Sequence, residues 1–292
     1  MKKLLLILVG VAFLSSVNAQ SFKFSVGYGL PWLSQQIGTN SSSTYSTALH
    51  PETGMEVPRV TNVSKIIKGS YGAGLNFSGA FGYTLSENIG LELGISYSTG
   101  KEYRVTSSYT DTRLDVFKSS TYESETSKSR AVLFTPMLKF ITHKRNLTPY
   151  FLIGPVFAKA NFNRTMVRST QESDASVNEV RNTKYKGGIS VGLRGAVGAS
   201  VVLNRKVSIF SEIMFTGMNY YPKESEIVRY TINGEDRITS LTENSRKTIY
   251  VKSVDNDSDN ASDYVNTPGK AVRSSLSMSA VGANIGLIIN LN

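Results

Sequence analysis

The chain has 292 residues, 40% hydrophobic and 18% charged, with a formal net charge of +10, a pI near 9.6 and a mean hydropathy of −0.14. It has no cysteine, which excludes a disulfide framework, a thiolate metal site and a lipid-modified amino-terminal Cys. The basic balance would suit nucleic acid, but no nucleic-acid fold motif appears and the amino terminus reads as an export signal, so no nucleic-acid partner is expected.

Lys2 and Lys3 precede an apolar run from Leu4 to Leu14, and Val17-Asn18-Ala19 places small residues where a signal peptidase cuts. Residues 1–19 therefore read as a signal peptide and 20–292 as the exported domain. The apolar run is too short to span as a helix, and no later segment reads as a transmembrane helix.

The first strand is predicted over Phe22 to Leu30, with Phe22, Phe24, Val26, Tyr28 and Leu30 in one phase and Lys23, Ser25, Gly27 and Gly29 in the other. Tyr71 to Tyr97 then alternates strictly on both sides of Ser86-Glu87-Asn88. One face carries Tyr71, Ala73, Leu75, Phe77, Phe81 and Leu85, then Ile89, Leu91, Leu93, Ile95 and Tyr97. A period of two around a tight turn is an antiparallel hairpin. Its second phase is mostly Gly, Ser, Ala and Asn with a single charge, Glu92, which suits a crowded interior rather than a wetted surface; the bulky, charge-free phase suits hydrocarbon.

Five more alternating stretches follow: Ala131 to Thr142, Pro149 to Phe157, Ile189 to Val201, Val207 to Thr216 and Val281 to Leu291. Short connections at 86–88, 143–148 and 204–206 alternate with long polar ones at 31–70, 100–130, 159–186 and 222–273. The fold class expected is all-β, an eight-stranded antiparallel transmembrane β-barrel with short periplasmic turns and long extracellular loops. In the last loop, Asn233-Gly234 between β-prone runs is a hairpin signal. With Tyr103-Arg104-Val105 and Val116-Phe117, it suggests that the sheet continues above the membrane and offers strand edges to an extracellular protein or glycan partner. Ordinary solvated loops fit the same residues.

The hairpin, Pro149-Tyr150-Phe151-Leu152-Ile153-Gly154, Phe210-Ser211-Glu212 and the closing alternating strand together resemble the small outer-membrane β-barrel family of OmpA-like and OmpX-like type, in the single-domain form found in Bacteroidota. The resemblance covers Gln20 to Asn292. It implies residence in the bacterial outer membrane, contact with outer-membrane lipids and insertion by the barrel assembly machinery. The closing Leu291-Asn292 departs from the terminal aromatic residue of many such barrels, and no peptidoglycan-binding domain is expected, so no wall-anchoring role carries over.

An eight-stranded barrel is just wide enough to be filled by side chains. The inward phase supplies Lys23, Glu92, Lys139, Arg194 and Glu212. These charges are expected to pair across the lumen, with Arg194 and Glu212 as the leading couple, and so to block a water path. Trp32, Tyr71, Tyr97 and Tyr221 are expected to form an interfacial girdle, near basic rim residues that contact lipopolysaccharide head groups. The expected role is structural or surface-interacting, adhesin-like or in envelope integrity. A narrow porin-like channel is the alternative, and a lipid A-modifying enzyme comes third. His50 and His143 have no nucleophile or base placed beside them, so neither an enzyme nor a cofactor is expected. Asp255, Asp257 and Asp259, with Asp263 beyond, echo a calcium loop. Asn260 replaces its Gly and Asn266 its bidentate Glu, so a solvated acidic turn is expected rather than a metal site.

Overall fold

The computed structural model describes residues 20–113, 116–142, 146–173, 175–254 and 266–291. The predicted signal peptide, His143 and the calcium candidates Asp255, Asp257, Asp259 and Asp263 lie outside the described residues. The described chain forms strands β1 Gln20–Pro31, β2 Gln35–Leu49, β3 Glu56–Gly69, β4 Gly74–Ser86, β5 Ile89–Gly100, β6 Tyr103–Arg113, β7 Val116–Ile141, β8 Leu147–Glu172, β9 Ser176–Val202, β10 Val207–Tyr220, β11 Pro222–Ile232, β12 Glu235–Asp236, β13 Lys247–Val251, β14 Gly269–Val272, β15 Leu276–Ser277 and β16 Ala280–Asn290.

Eight of these sixteen close a ring by antiparallel pairing, in the order β1–β4–β5–β7–β8–β9–β10–β16 and back to β1. Around it the alternation in sequence becomes alternation in space. In β5 every second side chain from Ile89 to Tyr97 is exposed on the outside, Ile95 at 62%, while Glu92 between them is 4% exposed. Aliphatic and aromatic side chains continue outward on β1, β7, β9, β10 and β16 as an unbroken apolar belt, a surface that water disfavours and hydrocarbon accepts.

The expected total of eight strands falls short of the sixteen, because stretches read as loops are strands as well. β7, β8 and β9 run 26, 26 and 27 residues, well past the belt. The β8–β9 ladder runs from Leu147↔Val201 to Gln171↔Ser176 with one register shift at Lys159/Asn161, so 159–172 and 176–186 are paired strands and not a long loop. Its last fourteen or so residues carry the sheet about 45 Å beyond the belt at strand rise. On one flank β7 pairs with β6, β6 with β2 and β2 with β3; on the other β9 pairs with β11, β11 with β13 and β13 with β14. The antiparallel expectation holds within the ring, but β2–β6 and β13–β14 are parallel. The expected continuation of the sheet at Tyr103-Arg104-Val105, Val116-Phe117 and the run before Asn233 lies in β6, β7 and β11; β2 lacked an apolar phase to betray it, being almost wholly polar, and Ser41–Ser107 and Ser42–Ser108 hydroxyl bonds of 3.0 and 3.1 Å tie it to β6. The Asn233-Gly234 hairpin lies where expected, both residues at positive φ (51° and 85°), turning β11 into β12.

Candidate functional site

The lumen is built from the inward phase of the ring strands. Lys23, on β1, reaches Glu212 Oε2 on β10 at 2.7 Å and Glu92 Oε1 on β5 at 3.2 Å, and all three side chains are buried. Glu212 also accepts from the Tyr150 hydroxyl at 3.0 Å and from Asn284 Nδ2 at 2.9 Å. The Lys23 ammonium lies over the Phe210 ring, 4.4 Å from its centroid, and Lys139 stands over the Tyr150 ring at 4.6 Å. One cation thus serves two carboxylates, with aromatic faces and neutral donors filling the remaining space, the arrangement that buried charge requires.

Four of the five expected charges therefore share one layer, but the expected Arg194–Glu212 couple does not form. The β9–β10 register places Arg194 opposite Thr216 and Glu212 opposite Gly198. Their backbone positions are four residues apart along the strands, about 13 Å at strand rise, and both side chains border one small cavity without forming an ion pair. Arg194 instead donates to Met214 Sδ at 2.9 Å and to Ser96 Oγ at 3.4 Å, while Asn284 Nδ2 approaches the same sulfur at 3.4 Å. Met214 was not anticipated; a thioether among Gly, Ser and Asn in the inward phase was its only signal.

A second layer closes the end of the barrel nearest the extension. Tyr71, Tyr103, Phe162, Met218, Tyr220 and Met278 form a buried cluster, with Tyr71 edge-on to Phe162 at 5.0 Å and Phe162 against Tyr220 at 4.7 Å. The expected placement of Tyr71 in an outward aromatic girdle is thus wrong: it is 3% exposed, inside the barrel, and bonded through its hydroxyl to Ser127 Oγ at 2.9 Å. The alternation of β4 begins only at Gly74, whose φ is +134°; before it, Ser70–Ala73 makes a turn across the opening. Tyr71 N–H bonds Ser277 O at 2.8 Å, and a Cβ on Gly72 would strike the Met278 carbonyl. Gly72-Ala73-Gly74 was the available sign that the strand phase breaks there. The other girdle candidates do face outward, Trp32, Tyr97 and Tyr221 being 40–48% exposed.

A cavity of about 120 Å³ lies at the aromatic layer, lined by Tyr71, Phe162, Arg164 and Tyr185; deeper in the lumen the open space is smaller. A cavity of about 20 Å³ borders Lys23, Glu92, Arg194 and Glu212, and another of about 20 Å³ lies beyond Met214, lined by Asn76, Leu133 and Met278. His50 sits exposed at the β2–β3 tip, its Nδ1 accepting from Glu52 N–H at 3.3 Å, remote from this chemistry.

Against this geometry, a family model described as an outer membrane protein beta-barrel domain matches residues 18–222. The chain belongs to this outer-membrane β-barrel family. Its location is accordingly the bacterial outer membrane, and the apolar belt is its lipid-facing surface. No characterised protein sequence matches the chain. Among solved structures it is similar to the attachment invasion locus protein Ail of Yersinia pestis (10% identity, TM-score 0.28, 93% of this chain and 95% of that one). It is also similar to CarO2 of Acinetobacter baumannii (12%, 0.31, 94% and 99%) and to the outer membrane protease OmpT of Escherichia coli (8%, 0.31, 94% and 98%).

Proposed function

We propose that this outer-membrane barrel neither conducts nor catalyses, and that it serves as a rigid base holding a β-sheet extension outside the cell for surface interaction. In this reading the membrane-embedded part is the eight-strand ring, with its tight turns in the periplasm and the extension outside. The observation that carries it is the Lys23 clamp on Glu92 and Glu212, backed by the Tyr71–Phe162–Tyr220 layer, with cavities of only about 20 Å³ beside Lys23 and beside Met214. Each has room for about one water. A narrow channel would need a continuous file of them.

The test is planar-bilayer recording on the refolded protein. Wild type should show no steady unitary current, and a triple variant K23A/Y71A/F162A, stripped of both layers, should leak. A steady conductance in wild type overturns the proposal. We further assign lipopolysaccharide head groups as neighbours of the outer rim. Lys159 stands in one row with Tyr97, Val132 and Ile189, at the upper edge of the belt beside exposed Arg130. Substituting Lys159 and Arg130 by Gln should weaken lipopolysaccharide binding; unchanged affinity removes this assignment.

A further inference from the structure

The extension ends at β3, which pairs with β2 on one edge and with nothing described on the other. Its backbone is not featureless there. His50 N–H bonds Met55 O at 2.8 Å, and the ladder proceeds in register from Leu49↔Glu56 to Gly38↔Ile67. Antiparallel ladders alternate hydrogen-bonded and non-bonded pairs. The odd residues of β3 therefore bond β2, while Val60, Asn62, Ser64 and Ile66 turn their N–H and C=O groups to the open side. Pro58 shares that side and, lacking an N–H, blunts only the end nearest the tip.

The side chains of β3 are equally uncovered, on both faces: Val60 is 58% and Val63 64% exposed, with Ile66 and Val57 close behind. Beyond Glu56 at its first position, its charges are all basic. In the middle of the extension, cations meet carboxylates on the neighbouring strand, as in Arg168–Glu123 at 2.7 Å, Arg164–Glu125 at 3.1 Å and Lys186–Glu224 at 3.6 Å. Arg59, Lys65 and Lys68 of β3 take part in no ion pair among the described residues, and β2, their one neighbour, carries no charge. Where a sheet matches charge across strands, an unmatched basic edge specifies what the absent neighbour carries.

We propose that the open edge of β3 binds an extended acidic segment of a partner protein. The segment adds to the sheet as one more strand, with carboxylates opposite Arg59 and Lys65 and aliphatic side chains opposite Val60, Val63 and Ile66. The N–H and C=O groups of Val60, Asn62, Ser64 and Ile66 supply the binding, and the paired charges select the partner. This rests on the reading of the extension as exposed outside the cell.

The test uses the whole protein refolded in detergent and the peptide Val-Glu-Thr-Val-Thr-Thr-Val-Glu, the antiparallel complement of residues 59–66. Peptide binding should slow amide exchange at Val60, Asn62, Ser64 and Ile66 and leave Thr61 and Val63, already bonded to β2, unchanged. The same peptide with Lys for Glu should bind at least about fivefold more weakly, the worth of two exposed ion pairs. A peptide N-methylated at the residues facing Val60, Asn62 and Ser64 should not bind. The double variant R59E/K65E, altered only at exposed side chains, should reverse the preference and bind the Lys peptide. The proposal is overturned by absent protection, by equal affinity for the two peptides, or by β3 amides already protected because copies of the chain pair with one another. Any of these leaves the bilayer result, and with it the closed-base reading, untouched.

Discussion

Lys23→Met is the perturbation that asks most of the lumen. It preserves the length of the side chain and removes the one cation within 3.2 Å of both Glu92 and Glu212. Glu212 keeps the Tyr150 hydroxyl and Asn284 amide, so its charge remains partly solvated by the protein. Breaking a buried pair by deleting one partner costs about 3–5 kcal/mol, because the other is left uncompensated. The neighbouring 20 Å³ cavity admits about one water, which places the expected loss near the lower end, about 3 kcal/mol. The assay is urea unfolding in detergent followed by the fluorescence of Trp32, the single tryptophan, which sits edge-on to Phe215 at 6.1 Å. K23M/E92Q/E212Q, neutral at the three clamp positions and close in volume, should regain most of the loss. If K23M costs less than about 1 kcal/mol, the worth of an exposed pair, the clamp is a solvated contact and the reasoning fails. The same holds if the triple variant is no more stable than the single one.

Arg194 should behave in the opposite way. It touches Met214 and Ser96 and, among the described residues, no carboxylate, so R194M should leave stability within about 0.5 kcal/mol or raise it, and a loss as large as that of K23M would contradict the assignment. Gly198→Val places a methyl-bearing Cβ 2.7 Å from both Glu212 Cβ and Tyr150; urea titration should register a cost of about 1–3 kcal/mol. Ile213→Arg, in the lipid-facing belt at 64% exposure, should cost about 2–4 kcal/mol in vesicles, whereas Ile66→Arg on β3, at 54%, should cost almost nothing. Equal effects would place both in the same solvent. Burial pushes the Tyr185 hydroxyl from 10.0 up to about 12, with Arg164 opposing and Tyr250 adding to the rise. Its contribution to the extension is thus complete below pH 10 and lost as pH rises toward 12. Y185F should flatten that part of the alkaline unfolding curve and leave the rest in place.

The ring was legible because the bilayer enforces a rule on every strand that crosses it: bulky and charge-free outside, small or paired inside. Ile89 to Tyr97 obeys that rule at every position, and so does its exposure. The extension obeys no such rule. With water on one or both faces, β2 and β6 need no apolar phase, and Ser and Thr hydroxyls bonded across strands do what aliphatic packing does elsewhere. Short β-prone runs such as Tyr103-Arg104-Val105 and the Asn233-Gly234 turn betray part of the extension, whereas β2 carries neither sign. Tyr71 failed for a third reason. Its place in a period of two was right in sequence, but Gly72-Ala73-Gly74 lets the chain leave the wall and cross the opening, where parity no longer says which way a side chain points.

The same limit explains why the residue types of the lumen were legible and their partners were not. Parity names the inward side chains; partnership depends on register, which no single strand contains. Lys23 stands two strands from Glu92, across β4, and two strands from Glu212, across β16. In the rows it crosses, Lys23 faces Ala80, and Ala80 faces Gly94, so the side chain meets little bulk on its way to β5. The small residues are therefore what allow one ammonium to reach two carboxylates. Because β1 and β16 are the first and last strands of the ring, the Lys23–Glu212 contact spans the seam where the two ends of the barrel meet. An unclosed sheet would hold the three charges apart in the lumen phase, each unmatched. The clamp forms only when the seam does, so its charges disfavour every open or mis-registered sheet more than they stabilise the closed one.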